Sequence, residues 1–143
     1  MADVATLVWQ EGLRFEARSG SGHTLLVDSP SKPEHQGPSP MELVLIGVAG
    51  CMSMDVISIL QKMQQPVTGL QVRIAGERNP THPKYFTAIE LTFEVRGRGV
   101  GYERAERAVE LSRTTYCSAI SSLRPDCQVT TAVEIVEDQP SET

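Results

Sequence analysis

Short runs of residues that are apolar, or that alternate between apolar and polar, open the chain. They cover residues 4–9, 13–18 and 23–28. Segments of turn composition, which contain glycine, separate the runs, and this arrangement is typical of antiparallel strands. The pattern predicts three strands, followed by an extended loop over residues 29–40, where four prolines exclude a regular element.

A long apolar helix is predicted after this loop. Ser39 and Glu42 have the spacing of a capping box, with a proline at the first helical position. Asp55 is the only charged side chain from Leu43 to Leu60. Because a helix that is apolar nearly all round is typical of the middle of a fold, we expect a core helix that runs to about Met63.

The same apolar run has the length of a membrane span. Asp55 and two serines interrupt it. The run also lacks the flanking clusters of basic residues that membrane-spanning helices usually have. We therefore expect no association with a membrane.

Two further strands, a second helix and a last strand complete the pattern. Alternation over residues 70–74 and 87–95 predicts two half-buried strands, and helical spacing of apolar residues over 102–123 predicts an amphipathic helix. Residues 127–136 alternate again as a last strand. The order β-β-β-α-β-β-α-β, with the strands grouped in hairpins, predicts an α+β fold with mainly antiparallel sheets.

Length and charge limit the classes of function. With 143 residues, 40% of them apolar, the chain fits a single domain, which we place at residues 1–138, before a polar tail at 139–143. A net charge of -5 and the absence of a basic run argue against a nucleic-acid partner. The N-terminus lacks the basic start and apolar core of a signal peptide, so we predict a cytoplasmic protein with reduced thiols.

Three cysteines carry the candidate chemistry: Cys51 in the apolar helix, Cys117 in the second helix and Cys127 at the last strand. Burial in the core is an alternative explanation for each, and for Cys127 we prefer it. No CxxC pair occurs and the three histidines lie in separate turns and loops, so no zinc-finger or thioredoxin-like motif is present and no metal is expected. A disulfide between Cys51 and Cys117 requires a close crossing of the two predicted helices.

Two segments resemble the OsmC/Ohr family: PSPMELVLIGVAGC, which ends at Cys51, and LSRTTYCSAI, which contains Cys117. The order of elements is similar as well. The resemblance implies an OsmC-like fold in an intertwined homodimer. It also implies the reduction of organic hydroperoxides with a dithiol as reductant and without metal or flavin. Cys51 would then be the peroxidatic cysteine and Cys117 the resolving cysteine, with an intermediate disulfide.

The resemblance implies two further site residues, because the family lowers the pKa of the peroxidatic thiol with an arginine held by a glutamate. Glu42 matches the glutamate by its place at the helix start, and its role in the capping box is an equal alternative. For the arginine, Arg14 is the first candidate and Arg18 the second, and both are equally explained as solvated charges on a strand face.

Two departures from the family keep a second function open. No arginine falls clearly on the family's position, and Ser118 follows Cys117 where the peroxidase branches usually carry proline. The alternative is an OsmC-like dimeric binding or redox-sensing protein with little peroxidase turnover.

Overall fold

The computed structural model describes residues 1–139, so residues 140–143 of the predicted tail lie outside the described residues. The chain divides into two compact units, Met1–Val44 and the residues from Leu45 onward, which are described in turn. The prediction of a single domain stays a prediction. The elements are β1 Ala5–Glu11, β2 Arg14–Ser19, β3 Thr24–Val27, α1 Pro40–Lys62, β4 Val67–Arg78, β5 Phe86–Gly97, α2 Tyr102–Leu111, a π-helical turn Ser112–Tyr116, α3 Ser118–Ser121 and β6 Gln128–Glu137.

The N-terminal unit contains the three predicted strands. They form one antiparallel sheet in the order β1-β2-β3, in which Phe15 lies opposite both Trp9 and Val27. Gly12 joins β1 to β2 with a φ of 55°, a left-handed conformation that glycine adopts without strain. The predicted strand pattern of this unit is confirmed.

Helix α1 begins with the predicted capping box. The backbone N–H of Ser39 donates to Oε1 of Glu42 at 3.1 Å, and the backbone N–H of Glu42 donates to the Ser39 hydroxyl at 3.1 Å. Two of the N–H groups that a helix start leaves unpaired are satisfied in this way. The position of the helix start is therefore encoded locally.

Only one stripe of α1 is buried. Its members recur every four residues and are at most 1% exposed: Val48, Met52, Val56 and Leu60. Elsewhere on the helix Ile46 is 56% exposed and Met54 75% exposed. The expectation of a core helix is thus confirmed for one stripe and wrong for the rest of the surface. The helix is long and apolar enough to span a membrane, a property that it shares with core helices of soluble proteins. The expectation that the protein does not associate with a membrane stays a prediction.

The C-terminal unit contains a second sheet in the order β4-β5-β6. The strand β5 supplies its core with four side chains on one face: Ile89, Leu91, Phe93 and Val95. The strands β4 and β5 pair antiparallel, whereas β5 and β6 pair parallel, with Ile89 opposite Val129. The expectation of mainly antiparallel sheets is confirmed, and the parallel pair follows because a crossover that contains α2 joins β5 to β6.

The second helix differs from its prediction. The sequence predicts a continuous helix over residues 102–123, but α2 ends at Leu111 and the π-helical turn follows it. Cys117 is then extended, with φ −73° and ψ 105°. The hydroxyl of Thr114 donates to the carbonyl of Glu110 at 2.8 Å, a local bond with which threonine disturbs regular helices. The expectation that Cys117 lies inside a helix is therefore wrong.

Candidate thiol site

Two of the predicted site residues meet in the C-terminal unit. The sulfur atoms of Cys51 and Cys117 and a carboxylate oxygen of Asp55 all lie within 4.8 Å of one another. Cys51 and Asp55 are four residues apart on α1, so they lie on the same face of the helix, one turn from each other. Cys117 joins them from the segment after the π-helical turn. We call these three side chains the thiol cluster.

Cys117 is held by its backbone neighbours. It is the N-cap residue of α3, where its sulfur accepts a hydrogen bond from the backbone N–H of Ile120 at 3.4 Å. Its own backbone N–H donates to the carbonyl of Ser112 at 2.8 Å. The side chain is 2% exposed, whereas Cys51 is only half-buried. Cys51 is therefore the more accessible of the two thiols.

Burial raises the pKa of the Cys117 thiol to about 11. The N–H of Ile120 acts in the opposite direction, and the hydrogen bond and charge of Cys51 add to the rise. At neutral pH Cys117 is consequently a protonated thiol rather than a thiolate.

Asp55 and Ser112 were not identified as site residues from the sequence. The hydroxyl of Ser112 donates to Oδ2 of Asp55 at 2.9 Å, and Ser112 is fully buried. A signal was present, because Asp55 is the one charge in a long apolar segment and follows Cys51 by four residues. The sequence around Ser112 contains no such signal, because the position of Ser112 depends on the π-helical turn.

Arg14 lies in the N-terminal unit and has carboxylate partners there. Its Nε donates to Oδ2 of Asp28 at 3.1 Å, and its Nη1 donates to Glu11 at 3.3 Å. Asp28 is only 5% exposed. The backbone N–H groups of Gln36 and Ser29, and then Arg14, hold the pKa of Asp28 below its usual value. The guanidinium of Arg14 is thus balanced by a buried carboxylate.

The other residues implied by the resemblance have local partners as well. Arg18 pairs with Glu16 at 2.6 Å, and its side chain is 60% exposed. The backbone N–H and hydroxyl of Ser39 lower the pKa of Glu42, which confirms its role in the capping box. A role of Glu42 or of either arginine at Cys51 stays a prediction.

Cys127 precedes β6 and is half-buried. Burial, and then the charge of Asp126, raises the pKa of its thiol. It is not a member of the thiol cluster.

Comparison with known proteins gives the chain a family context. Residues 33–132 match the model of a family described as OsmC-like protein. Protein YhfA of Escherichia coli K12 is 42% identical over 132 residues, which are 92% of this chain and 97% of YhfA.

Two solved structures illustrate the range of the fold. A hypothetical protein from Aquifex aeolicus VF5 is 25% identical with a TM-score of 0.85, over 97% of this chain and 99% of that one. The organic hydroperoxide resistance protein OhrB of Bacillus subtilis is 16% identical with a TM-score of 0.63, over 91% of this chain and 97% of that one. At that identity the OhrB structure is informative about the fold alone.

Proposed function

Because this chain belongs to the OsmC-like protein family, we propose that it is a thiol-dependent peroxidase that reduces organic hydroperoxides through Cys51 and Cys117. The observation that carries the proposal is the separation of the two sulfur atoms, which is at most 4.8 Å. The substrate class is the one implied by the resemblance of the segments around Cys51 and Cys117 to the OsmC/Ohr family.

The difference between the two thiols supports their assignment. Since the thiolate is the nucleophile, a buried thiol with a pKa of about 11, such as Cys117, is poorly suited to attack a peroxide first. Cys51 is half-buried and therefore more accessible to a small substrate. We assign Cys51 the peroxidatic role and Cys117 the resolving role.

The proposed cycle uses two sulfur reactions. The Cys51 thiolate attacks a peroxide oxygen, the O–O bond breaks, an alcohol leaves, and Cys51 becomes a sulfenic acid. The sulfur of Cys117 then attacks that of Cys51, and water leaves as the disulfide forms. An external dithiol restores both thiols by exchange.

Disulfide formation requires the sulfur atoms to approach from their present separation to about 2.05 Å. Cys117 lies between the π-helical turn and α3, where the backbone is extended. This step therefore calls for a local movement of Cys117 and leaves α1 in place.

We also propose that the protein acts as a homodimer in the cytoplasm. The apolar surface of α1 supports the dimer, because Ile46 and Met54 are more than half exposed in the single chain. The cytoplasm suits the proposed cycle, because a reducing compartment returns a disulfide between Cys51 and Cys117 to two thiols.

A redox-sensing or binding protein is the second candidate, and the pairing of Arg14 favours it. In the peroxidase proposal Arg14 and Glu42 help to stabilise the Cys51 thiolate. However, Arg14 is already bonded to the buried carboxylate of Asp28, and Glu42 to Ser39. If these pairs persist during the reaction, neither residue stabilises the Cys51 thiolate, and Cys51 is oxidised slowly.

Turnover distinguishes the two candidates. The consumption of an organic hydroperoxide and of hydrogen peroxide is followed with excess dithiol for the wild type, Cys51→Ser and Cys117→Ser. Cys127→Ser serves as the matched control, because Cys127 lies outside the thiol cluster. We expect many equivalents to be consumed by the wild type and by Cys127→Ser, and background consumption by Cys51→Ser. Full activity of Cys51→Ser would exclude the peroxidase, and one equivalent per wild-type chain would favour the sensor.

A further inference from the structure

The three side chains of the thiol cluster are also of the types that bind metal ions. Thiolate sulfur and carboxylate oxygen are ligands of zinc, at about 2.3 Å and 2.0–2.2 Å respectively. Because the three atoms lie within 4.8 Å of one another, an ion placed among them is at most roughly 2.8 Å from each. Side-chain adjustments of less than one ångström then bring all three into bonding distance.

We propose that the reduced protein binds one zinc ion through Cys51, Asp55 and Cys117. Two of these ligands stand one helical turn apart on α1, the arrangement by which a helix presents a ligand pair to a metal. Cys117 supplies the third from a separate segment. Along the chain these positions lack the spacing of a zinc finger, which is why the sequence led to an expectation of no metal.

Ser112 orients the carboxylate for this role. Its hydroxyl donates to one oxygen of Asp55 and leaves the other oxygen free of that bond. Ligands in metal sites are commonly fixed by a hydrogen-bonding partner of this kind, and loss of the partner typically weakens binding by about 10–100-fold. Ser112 is therefore a positioning residue in the proposed site.

The composition of the cluster defines the class of ion. Two cysteine sulfurs, which release their protons to solvent when they bind a metal, favour zinc together with one carboxylate over magnesium or calcium, which take oxygen ligands. Three protein ligands leave a fourth tetrahedral position for water or another small ligand. Because a disulfide uses both sulfurs, the ion and the disulfide exclude one another.

Metal titration of the full-length, reduced and chelator-treated protein tests the site. Zn²⁺ is added in competition with a chromophoric chelator, and Co²⁺ is used as a spectroscopic probe of thiolate coordination. We expect one equivalent per chain. Cys51→Ser, Cys117→Ser and Asp55→Asn should each bind at least about tenfold more weakly, and Ser112→Ala about 10–100-fold more weakly. Cys127→Ser is the matched control and should bind like the wild type.

A second measurement needs no variant. In the wild type Zn²⁺ should slow the alkylation of Cys51, the more accessible thiol of the cluster, and leave that of Cys127 unchanged, as read by mass spectrometry. The proposal is overturned if the wild type binds less than one equivalent, if the ligand variants bind as tightly as the wild type, or if Zn²⁺ protects Cys51 and Cys127 equally. No peroxide is present in either experiment, so failure here is distinct from failure of the proposed peroxidase.

Discussion

The hydroxyl of Ser112 donates a hydrogen bond of 2.9 Å to the carboxylate of Asp55. The bond joins the π-helical turn to the middle of α1 across 57 positions of the sequence. Since Cys51 lies one helical turn before Asp55 and Cys117 follows the π-helical turn, the same bond fixes the two segments that carry the cysteines.

Replacing Ser112 by alanine should lower the free energy of unfolding by about 1–3 kcal/mol, because the part-buried Asp55 loses its hydrogen-bond donor. Urea denaturation measures the effect. Ser122→Ala is the control, since Ser122 is exposed and its hydroxyl donates to a local acceptor, the carbonyl of Ser118. Equal stabilities of Ser112→Ala and Ser122→Ala would contradict the role given to this bond.

The capping box gives a second prediction. Ser39→Ala should lower the free energy of unfolding by about 1 kcal/mol, because the start of α1 loses its side-chain acceptor. Glu42→Gln should retain most of the stability, since glutamine also accepts from the backbone N–H of Ser39. Thermal unfolding measures both.

Glu42→Gln also separates structure from catalysis. It preserves the cap and removes the negative charge, so a fall in peroxidase rate at unchanged stability would support the role that the resemblance gives to Glu42. An equal loss of stability in Ser39→Ala and Glu42→Gln would instead show that the charge itself holds the helix start.

Acid should weaken the N-terminal unit through Asp28. Its pKa is lowered in the folded chain by the N–H groups of Gln36 and Ser29 and by Arg14. A lowered carboxyl pKa stabilises the fold above the unfolded value, about 3.9, and this contribution is lost as the pH falls through the folded value. The stabilities of the wild type and Asp28→Asn should therefore converge below about pH 4. Denaturation at a series of pH values tests this, and a constant difference would contradict it.

The exposed surface of α1 predicts self-association. Met54 is 75% exposed on a helix with few charges, so burial against a second copy would remove a large apolar area from water. Sedimentation should give a dimer for the wild type and a monomer for Met54→Glu. Gln128→Glu, at an exposed position of β6, is the control and should remain dimeric. A monomeric wild type at micromolar concentration would contradict the prediction.

The sequence was most informative where the signal is local. Ser39 and Glu42 lie three residues apart, and their reciprocal bonds need no distant partner, so the local sequence alone predicts the helix start. The three N-terminal strands followed in the same way from alternation and turns. The buried stripe of α1 was not predicted, because a helix that is apolar nearly all round has no periodicity to mark one face.

The other features depend on distant segments. The parallel pairing of β6 with β5 is fixed by the crossover between them, which leaves no mark on the alternation of either strand. Ser112, the hydrogen-bond partner of Asp55, could not be predicted because it also depends on a distant segment. A serine after an amphipathic helix is common, and only the π-helical turn brings Ser112 to α1.

The π-helical turn holds one residue more than an α-helical turn needs. A π-helix closes its bonds over one residue more than an α-helix, as the bond from the N–H of Cys117 to the carbonyl of Ser112 illustrates. The five residues of this turn therefore cover roughly the rotation of four α-helical residues, and deleting one of residues 112–116 would leave Cys117 in nearly the same orientation. A deletion within α2, which is already α-helical, would instead rotate the residues after it by about 100° around the axis and carry the sulfur of Cys117 away from Cys51. The cysteine pair thus tolerates a change of chain length in the turn and is lost by the same change in α2.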